Sequence, residues 1–459
     1  AGDTGAADWF FSQEEFLVRG GRVTWIDEQR AAPPVGLHDV QLVVRNGRRR
    51  HQMRLDATPE DGWGERFTLI GQFRQPVLSL HAGQWRGWDG QVYASLPLVD
   101  VSRLRQYADL KAEWGVDLRE GRGALRAWAD VRRGQLAGVT TDLALGAVSV
   151  RFGPELEPLA FGSVSGRLGW RNQAGAMDFD TRGLRFVDAD GVAWPGGNFA
   201  FTYSDGAGGQ PAGGELRGDT LDLAALAKIA GRLPLPPAVH ARLAAHPVQG
   251  RVDSIAAHWD GPLDAPRDWH LKTRLSALSV GASPAPPHAD GTPVEGVPGI
   301  EGASLNLEAS GAGGQATLGI QNGALEFPGV FEEPRIPLAE LTMQTRWRLA
   351  GERIEVDVDE LKLRNADATG HFKARWHTAP GERRFPGVLD LEGAFSRADG
   401  ARVHRYLPLG IPDAARHYVR DAIVKGEARD FAVRVKGNLL DVPFDRNPAA
   451  GEFRFAGQV

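Results

Sequence analysis

Ile354, Val356 and Val358 alternate with Glu355, Asp357 and Asp359, an aliphatic residue at every second position and a carboxylate between. Successive side chains of an extended strand point to opposite faces, so this stretch has one apolar face and one charged face. The same period returns at Leu305 and Leu307 against Asn306 and Glu308, and at Phe372, Ala374 and Trp376 against Lys373 and Arg375. It returns again at Leu389 and Leu391 against Asp390 and Glu392, and at Phe431, Val433 and Val435 against Arg434 and Lys436. Strands that are apolar on one side only belong to antiparallel sheets, because a parallel sheet is covered on both faces. The 58 glycines fall between such stretches and supply the turn conformations that hairpins need. Long helical patterns seldom separate the strands, which disfavours βαβ units.

Three places break the period. Val101, Leu104 and Ala108 are at helical spacing within residues 100–114. Asp222 reads as the N-cap of a helix with Leu223, Leu226, Ala230 and Leu233 on one face, and Pro236-Pro237 opens a second short helix reaching about Ala245. Residues 400–424 repeat that plan, with a break at Leu407-Pro408 and a second helix near Pro412. A shift of 176 residues pairs Leu233 with Leu409, Pro236 with Pro412, Gly250 with Gly426 and Gly261 with Gly437; a further copy begins at Gly123. The expected organisation is one continuous elongated body: β-rich segments at 1–99, 121–220, 249–399 and 426–459, with helical inserts at 100–120, 221–248 and 400–425. Allowing ~12 residues per strand with its turn predicts on the order of 30 strands, and an open sheet that long must curl or split.

Composition narrows the function classes. The chain has no cysteine, which excludes disulfides, thiolate catalysis and Cys-ligated metals. A net charge of −5 without a basic block argues against a nucleic-acid partner. No apolar run approaches the roughly 18–20 residues that span a bilayer as a helix. The chain opens on Ala1 without an initiator Met or signal peptide and reads as an excised piece. Glu355, Asp357, Asp359 and Glu360 are expected on a solvated strand face rather than in a cation or acid–base site. Asp188, Asp190 and Gly191 lack the later ligands of a calcium loop and read as a turn. The run at 162–166 has Val164 where a nucleophile elbow needs Ser. No catalytic residue, metal site or cofactor is expected, and the chain reads as a non-enzyme. Trp9 and Trp25 sit in strand patterns, and Trp85 and Trp88 flank a turn that should expose both.

A succession of short motifs carries a resemblance. Thr24, Trp25 and Ile26 with Ala32-Pro33, Leu221-Asp222-Leu223 with Leu233-Pro234-Leu235, and Gly296-Val297-Pro298-Gly299-Ile300 come first. Phe327-Pro328-Gly329-Val330-Phe331, Asn365-Ala366-Asp367-Ala368-Thr369-Gly370 and Tyr406-Leu407-Pro408 follow in order. Together they resemble the YhdP-type branch of the AsmA-like family over nearly the whole chain. The resemblance implies a periplasmic segment whose full-length parent is anchored to the inner membrane of a Gram-negative cell. It also implies a long twisted antiparallel sheet curled into a hydrophobic groove, with a few short helical inserts. Phospholipids are then the expected partners, moving between inner and outer membranes, with the membrane reached through regions beyond this chain and envelope proteins docking at its ends. On the alternating pattern, Leu305, Leu307, Val356, Val358, Phe372, Trp376, Phe431 and Val433 are the candidate groove-lining residues. An envelope scaffold that pairs with outer-membrane protein strands is the alternative, and a carbohydrate-binding sandwich with Trp platforms a third.

Overall fold

The chain was described from a computed structural model. It covers residues 5–26, 34–77, 83–104 and 117–458, apart from 174, 190, 208–210, 234–239, 242–246, 264, 287–293, 382, 443 and 445–446. Strand makes up 65% and helix 12%, and the 22 described strands belong to one antiparallel sheet that does not close into a barrel. There are fewer strands than the length per strand predicted because the strands are long. Several reach 16 or 17 residues, as in β6 (Asp117–Arg132), β7 (Gln135–Arg151) and β17 (Arg335–Ala350). Bulges allow this: an extra residue restores the face of the strand where the alternation slips, as at Arg119 of β6, between the pairs Leu118–Val150 and Glu120–Ser149.

Two compact units divide the chain. The first holds residues 1–221, 228–236 and 261–264, and the second 222–227, 237–260 and 265–459. In the first unit, β1 (Glu15–Trp25) to β9 (Ala176–Asp188) pair each with the next, and β9 pairs with both β10 (Ala193–Pro195) and β11 (Asn198–Ser204). β11 pairs in turn with β12 (Gly213–Asp222), antiparallel. In the second unit, β13 (Val248–Asp260) to β22 (Gly451–Gln458) form an unbroken succession of antiparallel neighbours.

The inserts are where the period breaks. Val101–Leu104 is helical, and the rest of that insert up to residue 116 lies outside the described residues. Leu223–Ala230 is a helix whose Ala225 N–H donates to the Asp222 carboxylate at 2.8 Å, the cap that Asp222 announces. The helix expected from Pro236 falls almost wholly outside the described residues. A 3-10 helix, Gly400–Tyr406, and an α-helix, Asp413–Ala422, form the third insert on either side of Leu407-Pro408, as the sequence predicts. The aligned glycines all have positive φ: Gly123 (156°) within β6, Gly250 (130°) near the start of β13, and Gly426 (151°) immediately before β21 (Glu427–Asn438). The glycines that the repeat aligns thus share a backbone conformation, while Gly123 lies deeper in its strand than the other two.

Two tryptophans depart from expectation. Trp9 lies on the helix Gly5–Ser12, not a strand, and is 61% exposed. Trp88 is buried rather than at an exposed turn, because its ring stacks on His51 at 4.0 Å while Phe11 closes on its edge. Trp85, across Arg86-Gly87, is half exposed as expected.

Candidate functional site

Cross-strand partners in an antiparallel sheet share a face, so the register shows which side chains form continuous rows. In the second unit one row runs Val252, Leu275, Leu305, Leu318, Met343, Leu361, Phe372, Gly393, Val433, Phe455, one residue from each of ten strands. The next row on the same face passes through Leu307, Ala316, Thr345, Val358, Ala374, Leu391, Val435 and Phe453. A third contains Trp347, Val356, Trp376 and Leu389. Phe431 opposes Phe395 on a fourth, whose ring meets Phe372 edge-on at 5.0 Å. The structure thus brings all eight sequence-predicted residues onto one face of one unit.

That face is closed at one end and open at the other. Leu278, Ala303, Ile320, Leu338 and Leu341 form a buried cluster, with Leu223 of the capped helix and Val248 packed against it. Burying each of its Leu and Ile side chains stabilises by about 1.5–3 kcal/mol. Further along the same face, Leu305 and Leu307 on β15 (Gly299–Ser310), Val356 and Val358 on β18 (Arg353–Arg364), and Phe372 and Trp376 on β19 (Ala368–His377) are only half-buried, and Leu349 on β17 is exposed. Val433 is the exception among the eight at 7% exposure, and Phe455 beside it is exposed.

The first unit repeats the arrangement, which the sequence pattern had not revealed. Phe16, Val44, Met53, Gly71, Val92, Ala129, Val139, Trp170, Phe179, Phe201 and Leu216 are successive partners across eleven strands. Every member is apolar or glycine. The alternation was present in the sequence, but bulges and glycines cut it into pieces too short to stand out.

The opposite face of the second unit is charged and paired. Lys272, Glu308, Gln315, Arg346, Asp357, Arg375, Asp390, Lys436 and Glu452 form one row, alternating in sign apart from Gln315. Asp359 accepts from Arg346 at 2.7 Å, Glu355 from Arg353 at 2.8 Å, and Glu360 meets Lys362 at 2.7 Å. With Asp357 facing Arg375 at 3.7 Å, the four neighbouring carboxylates are engaged by separate cations on the polar face. Among the described residues no group of His, Asp and Glu is arranged to hold a metal. Asp188 accepts the Val192 N–H at 2.8 Å and closes a turn, as its spelling suggests.

Three of the motifs behind the family resemblance meet at the third insert. Asn365 accepts the N–H groups of Asp367 and Ala368 at 3.0 and 2.7 Å, folding the turn between β18 (Arg353–Arg364) and β19 (Ala368–His377). Asp367, 7% exposed, accepts from Arg405 at 2.6 Å and from the Tyr406 hydroxyl at 2.9 Å. Burial, reinforced by Asp367, pushes the Tyr406 hydroxyl up to about 12. Phe331 bridges to Pro408, and Leu409 N–H donates to Val330 at 2.8 Å. These residues fasten the insert to the sheet, so their chemistry is structural.

An open antiparallel sheet with an apolar face and an ion-paired face defines a class of one-sided amphipathic β-sheet proteins. Within it, the profile described as YhdP protein matches residues 2–459, and the chain belongs to the YhdP family, an AsmA-like group. Membership makes it an envelope protein, of a family linked to lipid transport. No curated protein and no solved structure matches the chain. Among the described residues no helix is long and apolar enough to cross a membrane.

Proposed function

We infer that the chain is a non-enzymatic periplasmic conduit for phospholipid between inner and outer membranes, its full-length parent anchored in the inner membrane. The observation that carries this reading is the set of half-buried apolar rows that cross strand after strand in each unit. An acyl chain lying on such a row gains about 25 cal/mol for each Å² of apolar surface removed from water, on both partners. A 12-residue strand is about 40 Å long, enough to lay full-length tails across several rows. Adjacent rows present near-equivalent aliphatic surface, so a tail moves from one to the next without a deep trap. Movement is diffusive, and no nucleotide or cofactor is required. Head groups stay at the mouth of a groove formed by the apolar face.

Mass spectrometry of lipids extracted from detergent-free protein, beside a soluble control carried through the same preparation, tests this. Phospholipid approaching one molecule per chain is the expected result. Replacing both Val356 and Val358 by Asp should remove that lipid while the β-sheet circular dichroism persists. A folded wild-type protein without lipid would sink the proposal.

A further inference from the structure

At one end of the first unit, on the face opposite the apolar rows, a concavity of about 730 Å³ is lined by Arg50, Arg74, Arg132 and Arg133. Arg50 and Arg74 are direct cross-strand partners on β3 (Arg50–Pro59) and β4 (Phe67–Arg74). Like charges placed directly opposite destabilise a sheet. Elsewhere the exposed arginines of this chain are commonly matched to carboxylates, as Arg54 is to Asp56 and Arg167 to Asp142. Among the described residues none of these four guanidinium groups has a carboxylate within ion-pair distance. The two aspartates of the concavity are taken up by other donors: Asp130 by the Gln91 amide at 3.0 Å and Asp89 by the Arg133 backbone N–H at 2.8 Å. Four arginines against two aspartates leave a positive surplus.

Unmatched guanidinium groups converging on one concavity fit an oxyanion with several acceptors, above all a phosphate group. What stands beside the site indicates the source. Trp85 is 50% exposed in the short helix Trp85–Gly87, with Arg86 over its ring at 5.4 Å. This helix abuts the turn that carries Arg133, since Gly134 N–H donates to Trp88 at 2.8 Å. An exposed indole next to unpaired arginines is the composition of a surface resting at the head-group level of a bilayer. We propose that this concavity binds the phosphate of an anionic phospholipid head group at a membrane surface. The site lies in the first unit and on the polar face, so it stands without the transport reading.

Flotation of the purified chain with vesicles of phosphatidylglycerol in phosphatidylcholine, compared with phosphatidylcholine alone, tests it. The chain should float with the anionic vesicles, and the Arg50→Gln/Arg74→Gln variant should bind them roughly tenfold or more weakly. Trp85→Ala should weaken binding too. The double variant removes the Arg50–Arg74 repulsion together with the Arg74–Asp89 cross-strand pairing, so β-sheet circular dichroism and a thermal midpoint well above the assay temperature separate loss of binding from loss of fold. The Val356→Asp/Val358→Asp protein should bind these vesicles like wild type, so the two proposals fail separately. Undiminished binding by the double variant would overturn the assignment, as would no vesicle binding by wild type. Calorimetric binding of inorganic phosphate without vesicle binding would assign the site to free phosphate and overturn the lipid source.

Discussion

Asp367 sits at 7% exposure because Arg405 and Tyr406 reach it from the insert, and Arg405 is held in turn by Glu333 at 2.9 Å. Removing one member leaves buried polar atoms unpaired, which costs more than the bond itself contributes. Tyr406→Phe deprives Asp367 of a donor and Asn365 of an acceptor, and should cost about 1–3 kcal/mol in urea unfolding. His51 makes a second prediction. Its ring is 2% exposed, stacked on Trp88, with Nδ1 donating to Asn46 Oδ1 at 2.8 Å. Desolvation lowers its pKa from the ordinary 6.5, so the unfolded chain takes up the proton first as pH falls. The stability held by neutral His51 is complete above 6.5 and is lost as pH drops below that toward the folded value. Between about pH 7 and about pH 5 the thermal midpoint of wild type should fall more than that of His51→Gln. An equal fall in the two proteins would remove His51 from the account.

A positive-φ glycine recurs at or near the start of β13 and β21. Gly250 and Gly426 hold the same place in two copies, both at positive φ, yet their surroundings differ. A Cβ on Gly250 would meet Leu278 Cα at 2.9 Å and the Ala277 carbonyl at 3.0 Å, whereas nothing lies within 4 Å of one on Gly426. Gly250→Ala therefore adds a backbone clash to the strain of order 1–3 kcal/mol that both positions share. Urea unfolding should show it as the more destabilising of the pair. Strand phase tells a similar story. The alternation through Val356 and Val358 was readable, but Leu361 and Leu363 keep to the same face only because a bulge at Asp359 and Glu360 resets it. A periodic reading stops at such a slip, which is why Leu361 was not among the predicted lining residues although it pairs directly with Phe372.

Across the molecule, the apolar rows and the charged rows have different energetic weight. Pairs such as Arg346 with Asp359 and Arg375 with Asp357 are exposed, and exposed pairs contribute ~0–1 kcal/mol each. Raising salt to about 1 M should shift the thermal midpoint by only a few degrees. A large drop would mean the ion-paired face carries the fold. Local sequence determined the antiparallel class, the apolar and solvated faces of the clearest strands, and the helix that Asp222 caps. Those follow from period, caps and prolines, which act over a few residues. Tertiary structure alone decided which residues line up across strands, that Trp88 is buried while Trp85 is not, and that Arg50 faces Arg74. Register is fixed by hydrogen bonds between strands and by bulges that shift pairing by one residue, and neither is written in the period of a single strand.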